Sequence, residues 1–142
     1  MVLDKVRSRL VKEKTSLLYN ELIPHEKVSL RGINKLKNYL NNSHSEIILP
    51  SILVCHKSNV IIDGHHRFHV IKSLEVDQIP VSMIDYNSDL ILTNEKNSLS
   101  KKDIISSAKN NKIFPPRTSK HLINFKNHCF PLMIISDLRI IN

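Results

Sequence analysis

The fold of this chain is decided by the stretch NVIIDGHHR, residues 59–67. The mainly apolar run NVII precedes the glycine, and an amphipathic run, residues 68–74, follows the arginine. This order is typical of a strand, a tight turn and a helix. Gly64 is one of only two glycines in the protein. Two imidazoles and a guanidinium follow it at the predicted helix start, where backbone N–H groups and the positive end of the helix dipole favour anions. The stretch therefore predicts a phosphate-binding turn.

Outside this stretch, helical and extended patterns alternate along the chain. Helical spacing is found in four segments, namely residues 3–14, a helix from an N-cap at Ser29 to about Leu40, residues 65–74, and a helix after a capping box at Ser100–Asp103. Strand patterns are found in six segments, namely residues 16–19, 47–54, 59–62, 79–84, 90–92 and 132–135. Lys57-Ser58 is a predicted hairpin turn, and residues 114–121 predict a loop followed by a helix or turn. Mixed elements in this order predict an α+β fold, with residues 1–142 as a single domain.

The amino-acid composition limits the classes of protein to which this chain can belong. The chain has 142 residues, of which 41% are hydrophobic and 24% charged, and this is enough for one domain with a real core. No apolar stretch reaches the roughly 18 residues of a membrane span. The N-terminal residues have no signal-peptide hydrophobic region. We therefore expect a cytoplasmic protein without a membrane partner.

Cysteine and charge patterns limit the possible partners further. Cys55 and Cys129 belong to no CxxC pair, so we expect free thiols and no structural zinc site. The formal net charge of +8 is compatible with nucleic acid, anionic membranes or phosphorylated small molecules. The basic residues are scattered, however, and aromatic residues make up only 5% of the chain. This pattern favours a solvated basic surface over a specific nucleic-acid interface.

Three segments carry a resemblance to a known family. Residues 22–28, LIPHEKV, are similar to a Pro-His-Glu loop; residues 60–68, VIIDGHHRF, to an Asp-Gly-His-His-Arg signature; and residues 115–121, PPRTSKH, to a Pro-Pro-Lys-Thr-Thr-Arg-His segment. In this order they resemble the free-serine kinases of the ParB/sulfiredoxin-like superfamily, which includes the ParB-like nuclease domain family. The resemblance spans roughly residues 15 to 122. Lys120 stands where the family segment has arginine, and this exchange loses a bidentate fork.

The resemblance implies a fold and an activity. The fold would be a compact ParB/sulfiredoxin-like arrangement, a small sheet with flanking helices. The activity would be phosphoryl transfer from ADP or ATP, with Mg²⁺, to the hydroxyl of free L-serine, giving O-phospho-L-serine and placing the protein in amino-acid metabolism. Glu26 would be the catalytic base. The nucleotide would be bound by two groups of residues, Asp63, Gly64, His65, His66 and Arg67 in the signature, and Thr118, Ser119, Lys120 and His121 in the third segment.

The residue types alone leave several roles open. Arg67 can bind two phosphate oxygens with its guanidinium fork. Adjacent helical residues diverge by about 100°, so His65 and His66 need not face the same ligand, and either can be a buried, hydrogen-bonded histidine. Asp63 can hold Mg²⁺, cap the following helix or fix the turn. Glu26 can act as a base or simply compensate a nearby helix dipole.

Other functions compete with the kinase interpretation. A ParB-like nucleotide-binding module acting with DNA is the main alternative, and the basic charge is compatible with it. A sulfiredoxin-like reductase would have its reactive cysteine directly after the signature glycine, where this chain has His65. A relative that binds nucleotide without turnover is the last alternative, and the retained Glu26 argues against it. The sequence leaves the oligomeric state open.

Overall fold

A computed structural model describes residues 1–42, 46–93, 99–116 and 119–141. Within these ranges there are four α-helices, α1 (Val2–Leu10), α2 (Leu30–Asn41), α3 (His65–Ser73) and α4 (Lys101–Lys109). The strands are β1 (Val11–Leu17), β2 (Ile47–Pro50), β3 (Ile52–Cys55), β4 (Ile61–Asp63), β5 (Ile79–Ile84), β6 (Ile91–Thr93), β7 (His121–Phe125), β8 (His128–Pro131) and β9 (Leu138–Ile141). Short 3₁₀ helices cover Tyr19–Glu21 and Leu132–Ile135. The chain is an α+β protein, as predicted.

The strands form three small sheets. The central sheet has the order β1-β5-β3-β4, in which β3 and β5 are parallel and the other neighbours antiparallel. A two-stranded sheet joins β2 to β9, and a three-stranded sheet has the order β6-β7-β8. Because β3 and β5 are parallel, the chain must cross over between them, and it does so through β4 and α3. This crossover places the DGHHR turn at one end of the central sheet.

Apolar side chains cover both faces of the central sheet. Alternate residues of β3 point to opposite faces, so Leu53 belongs to one cluster and Ile52 and Val54 to the other. The first cluster brings α1, α4 and β7 onto the sheet. The second includes α3 through Ile71, with α2 packed against it through Leu36 and Leu40. Helices α2 and α3 therefore lie on the same face, next to the turn.

Several local predictions are confirmed. Ser29 caps α2, since its hydroxyl oxygen accepts a hydrogen bond from the backbone N–H of Gly32. Ser100 and Asp103 form the predicted capping box of α4. The hairpin between β3 and β4 turns through His56–Asn59, which includes the predicted Lys57-Ser58. Cys55 and Cys129 are both free. None of the helices in the described ranges is long and apolar enough to cross a membrane.

Three predicted boundaries and types are wrong. The helix expected over residues 3–14 ends at Leu10, and the strand expected over 16–19 begins at Val11, because β1 pairs along its length with β5. The strand expected over 47–54 is divided at Ser51, whose N–H donates to the carbonyl of Asp137. Its two halves pair with different sheets.

The last two corrections concern the C-terminal part. The segment ending at His121 leads into a strand, β7, which pairs with β6 and β8, rather than into a helix or turn. The strand expected over 132–135 is a 3₁₀ helix, and it packs Leu132 and Ile135 into the first apolar cluster. The four apolar residues 132–135 could form either a strand or a 3₁₀ helix. Their packing against α1 and β7 decides between the two.

Candidate functional site

A cavity of about 450 Å³ lies where the end of β4 meets the start of α3. Three other parts of the chain complete its wall, the loop before α2, the first turn of α2 and the segment before β7. The lining residues are Glu26, Gly32, Ile62, Asp63, Gly64, His65, His66, Arg67, Ser119 and Lys120. The structure thus brings all the predicted site residues together apart from Thr118, which lies outside the described residues, and His121.

The turn at Gly64 requires a glycine. Its backbone is left-handed, with φ at 109°, a conformation that residues with a side chain rarely adopt. A Cβ atom built there would lie 2.9 Å from Arg67 Nη2 and 3.2 Å from Ile52 Cγ1. The first helical hydrogen bond of α3 runs from Phe68 N–H to the Gly64 carbonyl, at 2.8 Å. The N–H groups of the preceding turn therefore point out of the helix end, as an anion site requires.

Among the described residues, Arg67 is anchored through Nη2. Its Nη2 donates to the Ser51 carbonyl and to Asp63 Oδ2, both at 3.3 Å. Its Nε is buried and has no hydrogen-bond partner within the described ranges. The Asp63 carboxylate pairs with Arg67, and no side-chain cap is seen at the start of α3, so helix capping is not the role of Asp63. The guanidinium is held in position and retains donor capacity for an anionic oxygen.

His65 and His66 both hold the loop that carries Glu26. The N–H of His25 donates to His65 Nε2 at 3.1 Å, and the N–H of Ser29 donates to His66 Nε2 at 3.0 Å. Burial lowers the pKa of His65 well below 6.5, and the neighbouring histidines and Arg67 lower it further. His65 is therefore neutral at pH 7 and serves as an acceptor. The positive charge of this wall comes from Arg67 and from Lys120, whose side chain is exposed at the cavity wall.

Glu26 is fixed by backbone pairing on both sides of its loop. Ile23 bridges Val60 next to β4, with Ile61 N–H donating to the Ile23 carbonyl at 2.8 Å. Glu26 itself bridges Phe114, and Lys27 N–H donates to the Phe114 carbonyl at 2.7 Å. The segment predicted as a loop is thus held like a short strand between β4 and the residues before β7. The Glu26 carboxylate is therefore placed by the backbone.

A triad of half-buried Glu26 with buried Ser119 and His25 adjoins this wall. Ser119 Oγ lies 2.5 Å from Glu26 Oε2 and 2.6 Å from His25 Nε2. His25 Nδ1 lies 2.7 Å from the Ile61 carbonyl, which can only accept, so this nitrogen carries a proton. Burial lowers the pKa of His25, while the bond to Ile61 and the charge of Glu26 raise it. The Ser119 hydroxyl, predicted to bind nucleotide, contacts the proposed base.

His121 lies behind the cavity and does not line it. Its Nε2 is 2.7 Å from the Tyr86 hydroxyl, and its ring centroid is 6.3 Å from that of His25. Burial lowers the pKa of His121 to about 3, and the nearby His25 and Lys101 lower it further, although a hydrogen bond to the backbone of Ser119 raises it. A neutral, enclosed imidazole supports the Ser119 backbone from behind. Its assignment to nucleotide binding remains a prediction.

The site can be compared with what Mg²⁺ requires. Within the described ranges, no group of three or more His, Cys, Asp or Glu side chains is placed to hold a metal ion. Mg²⁺ usually takes only one or two carboxylates and completes its shell with phosphate oxygens and waters. Asp63 lines the cavity beside the turn at Gly64. The residues are thus compatible with Mg²⁺ brought by a nucleotide and unsuited to a metal bound by protein alone.

A second cavity, also about 450 Å³, shares Glu26 and His65 with the first. Its wall combines apolar and basic residues, and its remaining lining residues are Pro24, Lys27, Val28, Phe68, His69, Lys72 and Ile113. Glu26 therefore stands at the boundary between two cavities. This is the placement that a base needs between a phosphate donor and a hydroxyl acceptor.

Three residues of the site were not predicted to belong to it. His25 is fully buried at its centre, Ser29 holds His66, and Gly32 lines the cavity at the point where α2 meets α3. A Cβ on Gly32 would lie 2.5 Å from His66 Nε2 and closer still to Cδ2. The sequence did single out Gly32, because this residue is the other glycine of the chain and interrupts a helical pattern. His25 also had a signal, because it is the histidine of the Pro-His-Glu segment.

Comparisons with known proteins address the fold. No family model matches the chain. A solved free serine kinase in complex with AMP superposes with a TM-score of 0.68, at 10% identity, over 84% of this chain and 91% of that chain. A glutamate-to-alanine variant of a free serine kinase in complex with ADP gives 0.67 with the same identity and coverage. A conserved hypothetical protein from Pyrococcus furiosus gives 0.65, at 12% identity, over 86% and 96%.

A relative in sequence is a ParB-like protein from Sulfolobus acidocaldarius. It is 39% identical over 79 residues, which is 56% of this chain and 38% of that protein. The chain thus matches little more than a third of that relative's length. Together with the solved structures, this confirms the resemblance at the level of fold. The chain has the fold of the free serine kinases.

Proposed function

We propose that this protein is a small-molecule kinase that transfers a phosphoryl group from ADP or ATP to the hydroxyl of free L-serine. The observation that carries the proposal is the position of Glu26. Glu26 lines both the cavity at the Gly64 turn and a second cavity that has basic residues in its wall. The fold, shared with a free serine kinase in complex with AMP, supports the same interpretation.

The phosphates would bind at the DGHHR turn. The helix N-terminus at Gly64, the guanidinium of Arg67 and the ammonium of Lys120 all border this cavity. Phosphoryl transfer depends mainly on positioning and on neutralising charge at the phosphate oxygens, and these groups supply both. Asp63 would hold Mg²⁺ together with the phosphates, and the ion, when bound, further neutralises their charge.

The acceptor would occupy the second cavity. This cavity is bordered by the basic residues Lys27, His69 and Lys72. They could attract the carboxylate of a free amino acid. A hydroxyl on the same molecule would then reach Glu26, which also borders the first cavity. Glu26 would accept the hydroxyl proton as the oxygen attacks phosphorus.

The decisive experiment uses purified protein with ADP or ATP, Mg²⁺ and a panel of hydroxy amino acids. We expect O-phospho-L-serine from L-serine, and a loss of turnover of about 10²-fold or more in Glu26→Gln with nucleotide affinity retained. Glu26→Gln is nearly isosteric, so it removes the base without opening the cavity. Wild-type turnover by this variant would show that Glu26 is not the base. Absence of any phosphorylated amino acid would refute the kinase.

A ParB-like module acting with DNA is the second candidate, favoured by the net charge of +8 and by the ParB-like relative. The same cavity would then bind nucleotide without an acceptor. The panel separates the two, because only the kinase makes a phosphorylated amino acid.

A further inference from the structure

The spacing of the triad suits it to hold one additional proton. Ser119 Oγ is close enough to both Glu26 Oε2, at 2.5 Å, and His25 Nε2, at 2.6 Å, for a hydrogen bond to each. Each bond needs one proton between its two atoms, and a serine hydroxyl has only one to give. The second proton must come from His25 Nε2 or from the Glu26 carboxyl group. The geometry is therefore that of a triad holding one proton more than a carboxylate, a hydroxyl and a neutral imidazole, which is the state reached once a proton has been taken up. Turnover would start from the triad without that proton.

Among the described residues, the surroundings of His25 suit it to receive a proton along this path. Its side chain has no exposed surface, and its other nitrogen donates to the Ile61 carbonyl. The groups that face it are Glu26, the neutral rings of His65 and His121, with centroids 4.5 and 6.3 Å away, and the apolar ring of Phe114. Ser119 is itself buried. The route between His25 and the cavity thus runs through Ser119 and Glu26.

We infer that Glu26, Ser119 and His25 form a proton relay, in which Ser119 and His25 act through Glu26 as positioning residues. The inference rests on the proposed function for its role in turnover. It gives the hydroxyl of Ser119 a task in moving protons rather than in binding the nucleotide.

In the proposed step, a proton moves from the acceptor to His25 as the phosphoryl group is transferred. The acceptor O–H bond breaks and its oxygen forms a bond to phosphorus, while the bond from phosphorus to the leaving nucleotide oxygen breaks and its electron pair leaves with that oxygen. The acceptor proton goes to Glu26, a proton passes from Glu26 to Ser119 Oγ, and the Ser119 proton passes to His25 Nε2. Glu26 and Ser119 end as they began, and His25 ends as an imidazolium. The proton returns to solvent by the reverse path after the product leaves.

The first test needs no turnover. We would label histidine with ¹⁵N and follow the His25 imidazole by NMR across pH, assigning it with a His25→Asn variant, in wild type, Glu26→Gln and Ser119→Ala. We expect Nδ1 to stay protonated and the titration of Nε2 to move to lower pH in both variants, because each removes a group that stabilises the imidazolium. Identical His25 titrations in all three proteins would overturn the relay, whether or not the protein is a kinase.

The second test measures turnover in mixtures of H₂O and D₂O. We expect Ser119→Ala to lower kcat by about tenfold to a hundredfold. KM and nucleotide affinity should stay within about twofold of wild type, since the fork of Arg67 and the helix end are untouched. The dependence of kcat on the D₂O fraction should be curved in wild type, where several protons move, and linear in Ser119→Ala. Ser119→Thr, which keeps a hydroxyl, should recover most of the rate.

Ser106→Ala is the matched control, because Ser106 is an exposed serine of α4 outside the first and second cavities. It should behave as wild type in both tests. A normal rate in Ser119→Ala, or a rate that Ser119→Thr does not recover, would overturn the relay while leaving the kinase intact. If wild type phosphorylates no acceptor, the proposed function fails, and the NMR titration alone decides whether the triad shares a proton.

Discussion

Gly32→Ala should destabilise the protein even though alanine is the better helix former. Gly32 lies in the first turn of α2, and in an isolated helix this change would stabilise by about 0.5–1 kcal/mol. In this fold the new Cβ would lie 2.5 Å from His66 Nε2 and 3.0 Å from Ser29 Oγ. The His66 ring cannot simply turn away, because its Nε2 accepts the Ser29 N–H. Overpacking of this kind costs about 1–3 kcal/mol, so we expect a net loss of about 1–2 kcal/mol.

A double-mutant cycle in urea unfolding measures the cause directly. His66→Ala removes the ring that the new Cβ would meet, and it is itself destabilising by about 1–3 kcal/mol because the Ser29 N–H loses its acceptor. In that background Gly32→Ala should become stabilising by up to about 1 kcal/mol. The change in sign is the diagnostic result. If Gly32→Ala costs the same free energy in both backgrounds, close packing against His66 is not the reason for this glycine.

Three further predictions concern the site, acid stability and nucleic acid. Arg67→Ala should weaken ADP and ATP binding by about tenfold to a hundredfold, and Lys120→Ala should weaken it by less. The reason is that a guanidinium fork held in place is harder for water to replace than an exposed ammonium. A calorimetric titration in which Lys120→Ala loses more affinity than Arg67→Ala would contradict this. The Asp137 carboxylate accepts hydrogen bonds from Arg139, Ser51 and Ser82, which outweigh the effect of burial and lower its pKa to about 2 from 3.8. The lowered pKa contributes stability above pH 3.8, and this stability is lost as the pH falls toward 2. Asp137→Asn should therefore be less stable than wild type at pH 7, and its stability should depend less on pH between 3.8 and 2. A urea unfolding profile identical to that of wild type would rule out this contribution. DNA binding in gel shifts should be weak and disappear as salt rises, and a sequence-specific, salt-resistant complex would favour the ParB-like alternative.

The parts of the fold that sequence predicted are those with local causes. The turn at Gly64, the cap at Ser29 and the box at Ser100 depend on residues within a few positions of one another, and all three are present. Strand β1 could not be predicted from neighbouring residues. Its exposed Lys12, Glu13 and Lys14 carry no alternating pattern, and they are extended because β5 pairs with them.

The same distinction applies to the site. Its members on the DGHHR turn were predicted because one short motif carries them. The role of His25 depends on Ser119, which is 94 residues away, so no local pattern could indicate it. The break at Ser51 likewise depends on Asp137, 86 residues away. Such contacts follow from how the sheets and loops assemble, and a pattern of neighbouring residues does not contain that information.

Ser51 connects the DGHHR turn to strand β9. Its carbonyl accepts from Arg67, and its hydroxyl bonds to Ser82 and to Asp137 at the start of β9. Arg139 of β9 pairs with Asp137 and also donates to the carbonyls of Thr15 and Val81. Strand β9, which pairs with β2 in a two-stranded sheet and packs Ile141 into the second apolar cluster, is thus also joined to the central sheet and to Arg67 by polar contacts. Local opening of this strand and loss of Arg67 geometry should therefore be one cooperative event, and a ligand held by Arg67 should slow amide hydrogen exchange in β2 and β9.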